Sequence, residues 1–236
     1  MEHKSEGICR FCHNKFSGSG IGRHLSACKT RKDNIEMELK KRRKKYKIYH
    51  LRISSSKWYW LHIEIPATAM LANLDDLLRG IWLECCGHLS AFTIQDRRYE
   101  NVLPQDDFGF WGPPPKSMNA RLYTVLNVND TFSHEYDFGS TTYLDGKVLA
   151  VREGNLGKNR IQILARNNPY IFVCDDCGKE SSYLCVECEG FVCEECLEMH
   201  ECGEEMILDV VNSPRMGECG YSGPDTVDDW GGVQED

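Results

Sequence analysis

Four Cys-x-x-Cys pairs set the chemistry open to this chain: Cys9/Cys12, Cys174/Cys177, Cys185/Cys188 and Cys193/Cys196. Two cysteines three residues apart can bring both sulfurs onto one tetrahedral ion while the backbone turns around it, whereas a disulfide between them is strained. Further donors stand where such sites need them. His24 and Cys28 follow the first pair, and His200, Cys202 and Cys219 follow the last. Thiolates and imidazoles in closed sets of four suit Zn2+ held structurally, because no position remains for a reacting water. About three such ions are expected if the back holds two beside one at the front, and about two if the back holds a single ion.

The rest of the chain must position these donors. Its 236 residues allow one sizeable domain with small satellites. No apolar run reaches the ~18 residues that a membrane helix needs. The first thirty residues carry cysteines, histidines and charges where a signal peptide would be apolar. The expectation is a soluble, cytoplasmic protein with no membrane partner. There thiols stay reduced, and paired cysteines mean metal more often than the rival disulfide framework.

Charge divides the chain into three. Residues 1–47 hold 14 Lys/Arg against 5 Asp/Glu, a balance of +9, and residues 174–236 hold 2 against 18, a balance of −16. Residues 48–173 are nearly neutral, with 12 against 13, and the three parts sum to −8. The asymmetry points to partners of opposite sign at the two ends. At the front, Lys29, Arg31, Lys32, Lys40, Lys41, Arg42, Arg43, Lys44 and Lys45 could neutralise phosphates of DNA or RNA without reading sequence. The plainer alternatives are a solvated helical linker or a counter-charge to the acidic end. That acidic end should repel nucleic acid and suit a protein partner with a basic surface.

Period-two alternation over 46–53 and 58–65, broken by Ser54, Ser55 and Ser56, predicts a hairpin that Pro66 ends. Asn73 is the expected N-cap of a helix with Asp75 and Asp76 in its first turn. Leu74, Leu77, Leu78, Ile81 and Trp82 form its apolar face, and it should stop near Gly87. A strand over 88–94 follows, then a weaker helix over 117–126 and strands over 131–136, 141–152 and 161–165. The result is an α+β fold, a mixed sheet with helices on one face, in an order that resembles the ubiquitin-like β-grasp. Two small zinc-stabilised modules flank it. The expected boundaries are a finger at 1–30, a basic linker at 31–45, the α+β domain at 46–168, an acidic zinc module at 169–222 and a disordered acidic tail at 223–236.

Three resemblances accompany these readings. Cys9, Cys12, Phe16, Ile21, His24 and Cys28 resemble a C2H2 zinc finger in C2HC form, which implies two cysteines on a hairpin and His24 and Cys28 on one helix face. The hairpin, the helix around Leu74–Leu83, the 88–94 strand and Phe132-Ser133-His134-Glu135-Tyr136-Asp137-Phe138-Gly139 resemble the plasmid pRiA4b ORF-3-like domain over about residues 46–166. That family is bacterial and archaeal and is associated with mobile elements. The continuation usual in that family is absent, since Ser140-Thr141-Thr142-Tyr143 stands in its place. The three C-terminal pairs resemble a B-box or related cross-brace. This implies one zinc on Cys174, Cys177, Cys193 and Cys196, and another on Cys185, Cys188, His200 and one more ligand. Cys202 and Cys219 compete for that last place, and a single-zinc ribbon is the alternative.

Other tempting residues read more plainly. Asp137-Phe138-Gly139 matches a kinase tripeptide, but the chain lacks the accompanying phosphate loop. Cys85 and Cys86, with Glu84 and His88, read as small hydrophobes buried at a helix end before they read as a metal site. The leading function is a zinc-binding, non-enzymatic adaptor or regulator, associated with a mobile element and contacting nucleic acid through its front. The alternative is an enzyme of unknown reaction, with a central site around His134, Tyr136 and Asp137.

Overall fold

A computed structural model describes residues 5–41, 44–101, 113–156 and 161–224. The front supplies strands β1 (Glu6–Cys9) and β2 (Lys15–Ser17) and helices α1 (Ile21–Ala27) and α2 (Lys29–Lys41). The alternating segments form the hairpin of β3 (Tyr46–Ser55) and β4 (Tyr59–Pro66), with Leu51 opposite Ile63 and Ile53 opposite Leu61. Helix α3 (Leu71–Leu78) follows and runs on through a π-helical turn, Arg79–Leu83. Asn73 lies three residues into the helix instead of capping it, and its side-chain oxygen accepts the Met70 N–H at 3.0 Å. The apolar stripe does what its spacing implies: Leu74, Leu78, Ile81 and Trp82 are buried against Leu61, Ile63 and Ile65.

Strands β5 (Ser90–Ile94) and β6 (Arg97–Glu100) form a second hairpin that the sequence pattern does not announce. Its two-residue turn is Gln95-Asp96, both at positive φ (49° and 60°). Such turns usually advertise themselves through Asn-Gly or Asp-Gly, and glycine is absent here. Then come β7 (Lys116–Ser117), the single turn α4 (Leu122–Val125), β8 (Thr131–Tyr136), β9 (Thr142–Gly154) and β10 (Gln162–Asn167). The acidic module adds β11 (Tyr183–Cys185), β12 (Phe191–Val192), α5 (Glu194–Leu197) and β13 (Ile207–Asp209).

Ten strands make one sheet in the order β2-β1-β10-β4-β3-β9-β8-β5-β6-β7, and β12-β11-β13 make a second. The fold is α+β with a mixed sheet. Its one parallel pair among the described residues is β6 with β7, at the edge. The β-grasp order is therefore corrected, since the parallel pairing it requires between the first hairpin and a late strand is replaced by antiparallel β3–β9 and β4–β10.

Helices cover both faces of the central strands, where one covered face was expected. Side chains alternate along β4, so Leu61, Ile63 and Ile65 meet α3 while Trp60, His62 and Glu64 point the other way. That second face is covered by α1 and α2. Trp60 packs with Ile21 and Leu25, and Arg31 reaches Glu64 at 2.5 Å. The finger is consequently stitched to the central sheet, with β1 pairing β10 through Gly7–Asn167 and Cys9–Ala165.

Gly7 marks the closest approach. A Cβ there would lie 2.0 Å from the Arg166 carbonyl oxygen and 2.5 Å from the Trp60 ring. Gly7→Ala is expected to push β1 off β10 and to cost about 1–3 kcal/mol, typical of overpacking against atoms that cannot swing away. The thermal midpoint should drop by several degrees and protease sensitivity should rise in the first thirty residues. An unchanged midpoint would contradict the docked finger.

Candidate metal centres

Among the described residues, four groups of cysteine and histidine place their ligand atoms within 4.8 Å of one another. The first is Cys9, Cys12, His24 and Cys28. Cys9 ends β1, and the knuckle after it closes when His13, at φ 58°, donates its N–H to the Cys9 carbonyl at 2.9 Å. Helix α1 carries His24 and ends at Cys28, whose N–H donates to the His24 carbonyl at 2.7 Å. Phe16 stacks on the His24 ring with centroids 3.8 Å apart, which orients the imidazole. Burial pushes the Cys9 thiol up to about 11, so without a cation this sulfur stays protonated near neutrality.

Two groups interleave in the acidic module. Cys174 and Cys177 converge with Cys193 and Cys196, and Cys185 and Cys188 converge with His200 and Cys202. The leading pairs sit on tight knuckles. Gly178, at φ 73°, donates its N–H to the Cys174 carbonyl, and Cys185 donates to the Gly190 carbonyl just after Glu189 at φ 57°. Burial raises the Cys174 and Cys185 thiols, but surrounding backbone N–H groups outweigh it and bring each down to about 6. Cys202 moves the opposite way, to about 12, held up first by its contact with the Cys185 sulfur. One thiolate forms easily in such a cluster, and the next resists until a cation offsets the charge.

The donor sets fit a tetrahedral ion. A zinc–sulfur bond of about 2.3 Å separates two sulfurs by about 3.8 Å, and a sulfur from a ring nitrogen by about 3.5 Å. The Cys9–Cys28 and Cys177–Cys193 sulfurs are 4.0 and 3.6 Å apart. Cys12 lies 3.3 Å and Cys188 3.7 Å from the Nε2 of His24 and His200 respectively. All thirteen cysteines are free of disulfides.

The fourth group, Cys85, Cys86, His88 and Cys219, corrects two expectations. Cys219 lies with the central domain and not in the acidic module, where Cys202 stands beside His200 instead. Cys85 and Cys86 are not small buried hydrophobes, since Cys85 is half-buried and Cys86 is exposed. The cause is tertiary. After β13 the chain returns across the end of α3, where Ser213 donates its hydroxyl to the Trp82 carbonyl at 2.5 Å. The one local signal available was Cys85-Cys86-x-His88 itself, which matches no common zinc spacing.

The basic residues separate. Lys29, Lys32, Lys40, Lys41, Lys44 and Lys45 are exposed. Arg31 is buried, donating to Glu64 and to the Leu25 carbonyl, so it is removed from any phosphate-facing set. Arg42 and Arg43 lie outside the described residues, as does most of the expected acidic tail, 225–236.

The residues of the enzyme alternative find different partners. His134 is fully buried and meets Asp75 Oδ1 at 2.7 Å, beneath α3. Tyr136 and Asp137 face the Cys85 and Arg215 side instead. His50 and His62 contact each other at 2.9 Å, and burial drops them to about 4 and about 3, so both are neutral. No helix among the described residues is long and apolar enough to cross a membrane.

No protein-family model matches the chain, and none of the curated proteins matches it. Among solved structures it is similar to the protein of unknown function MM3350 from Methanosarcina mazei Go1, with 17% identity over 56% of this chain and 75% of that one, at a TM-score of 0.44.

Proposed function

We propose that the chain is a zinc-stabilised adaptor or regulator and not an enzyme, with its basic front contacting DNA or RNA and its acidic module docking a basic protein surface. The observation that carries this reading is closure. At the finger and at both interleaved sites, four protein donors already stand within 4.8 Å of one another, and the Cys9–Cys28 and Cys177–Cys193 sulfurs are about one tetrahedral edge apart. Such an ion has no vacant position for a substrate and serves as a folding staple. Kinship with the pRiA4b ORF-3-like family, and with it a mobile-element setting, belongs to the same proposal and rests on residues 46–166.

The nucleic-acid part is supported by six exposed lysines along and just after α2. Binding to DNA or RNA should be sequence-tolerant and should weaken steeply with salt. Each phosphate that the protein no longer neutralises should reduce the slope of log affinity against log salt by about 0.9 on duplex DNA. Replacing Lys40, Lys41, Lys44 and Lys45 by glutamine is expected to flatten that slope by about 3.6. Equal slopes for the two proteins, or no retention at low salt, would remove nucleic acid from the reading and leave the zinc assignment to elemental analysis.

A further inference from the structure

We infer that Cys85, Cys86, His88 and Cys219 hold a fourth zinc-class divalent cation, which clamps the strap at 213–221 onto the central domain and is the most exchangeable of the four. The inference rests on the zinc reading of the other clusters, but on its own geometry. Cys86 Sγ lies 3.8 Å from Cys85 Sγ and 3.6 Å from Cys219 Sγ. His88 Nε2 lies 3.1 Å from Cys86 Sγ and 3.3 Å from Cys219 Sγ. These are the edges of the same tetrahedron, within a few tenths of an ångström. Gly87, at φ 81°, makes the tight turn that lets His88 fold back over Cys86.

The surroundings are those of a built site. Three thiolates and one neutral imidazole around a divalent ion leave one negative charge. Arg215, whose side chain is fully buried, stands 3.8 Å from Cys85 Sγ and ion-pairs with Asp137 at 2.6 Å. The Tyr136 hydroxyl lies 3.7 Å from the same sulfur and accepts the Cys85 N–H at 3.3 Å. Outer partners of this kind orient ligands and tune the charge at a metal. The residues that carry the family resemblance, Tyr136 and Asp137, thus sit directly behind this cluster.

Exposure separates it from the other three. Each of those has at least one fully buried cysteine, Cys9, Cys174 or Cys185, whereas here Cys86 and Cys219 are exposed and Cys85 and His88 half-buried. A chelator or thiol reagent reaches this ion first. Its loss would free the strap, which is otherwise held by Ser213 on Trp82 and by Arg215 on the carbonyl of Ser140 and on Thr142.

The test counts metal in the full chain purified reduced with zinc, alongside Cys219→Ser and Cys86→Ser, the latter replacing an exposed side chain. Four equivalents in the wild type and three in each variant are expected. The missing ion should be the fastest-released phase on titration with a mercurial thiol reagent. Trypsin cleavage after Arg215, buried in the intact chain, should accelerate in the variants. Three equivalents in all three proteins, or a disulfide at Cys86 or Cys219 in the wild type, would overturn the fourth site. An unchanged Arg215 cleavage rate in variants that had lost one equivalent would overturn the clamp. Zero equivalents throughout would instead sink the zinc reading on which it rests.

Discussion

Exhaustive chelation of the reduced protein is expected to abolish ordered structure over residues 174–209 while the central sheet persists. The acidic module has little else to hold it. Its buried hydrophobic side chains are few beyond Val192 and the ligand cysteines Cys174, Cys185 and Cys193 themselves. Residues 174–236 carry 18 acidic against 2 basic groups, so chain repulsion opposes compaction. Structural zinc in small peptides binds with an apparent ~10–16 kcal/mol at neutral pH, which equals or exceeds the whole stability of most domains. Hydrogen exchange is the direct measurement. Amides that close the knuckles, such as those of Cys174, Gly178 and Cys185, should lose all protection on metal removal and regain it with zinc. Cys177→Ser should reproduce the loss in its own site, while Cys86→Ser should leave these amides protected. Full protection after complete metal removal would show that the clusters are not what holds the module.

Replacing Glu64 by leucine should cost about 3–5 kcal/mol, the usual penalty for stripping one partner from a buried ion pair. Its side chain is 2% exposed, and it accepts from Arg31 at 2.5 Å and from Arg152 at 2.8 and 2.6 Å. Leucine would leave two guanidiniums without the carboxylate they share. Arg152 also reaches Glu38 of α2 at 3.2 Å, so the same network ties the basic helix to β4 and β9. Urea unfolding at fixed zinc measures the loss. Adding Arg31→Met and Arg152→Met to Glu64→Leu should recover most of it, because an apolar set removes the stranded charges. Failure of the triple variant to recover would mean that the loss came from packing alone.

The same carboxylate has a pH consequence. Burial pushes Glu64 up, but Arg152 and Arg31 pull harder and leave it below its ordinary value. A depressed folded value means that its stabilisation is present above the ordinary glutamate range and fades as pH falls through and below it.

Much of this architecture is legible in the amino-acid sequence. Each Cys-x-x-Cys pair is a local device, complete within four residues, so spacing alone shows that two sulfurs can reach one ion. The strand 131–136 is readable because one buried face imposes period two, and the stripe Leu74, Leu78, Ile81, Trp82 because a helix buries every third or fourth residue. What escapes such reading are features lacking a local cause. Gln95-Asp96 turns without a glycine, held at positive φ by the strands it joins. Arg31 resembles its exposed lysine neighbours in sequence, yet Glu64, thirty-three residues later, draws it inward.

By itself, then, the sequence determined a metal-type donor set, an α+β core and opposite charge at the two ends, since composition and short-range periodicity carry all three. Only the tertiary structure decided that the finger is stitched to the sheet through Trp60, that Cys202 and not Cys219 joins His200, and that Cys219 meets Cys86 and His88. Those groupings join residues as far as 133 positions apart. No local spacing encodes them, because they depend on which side of α3 the chain crosses on its way back.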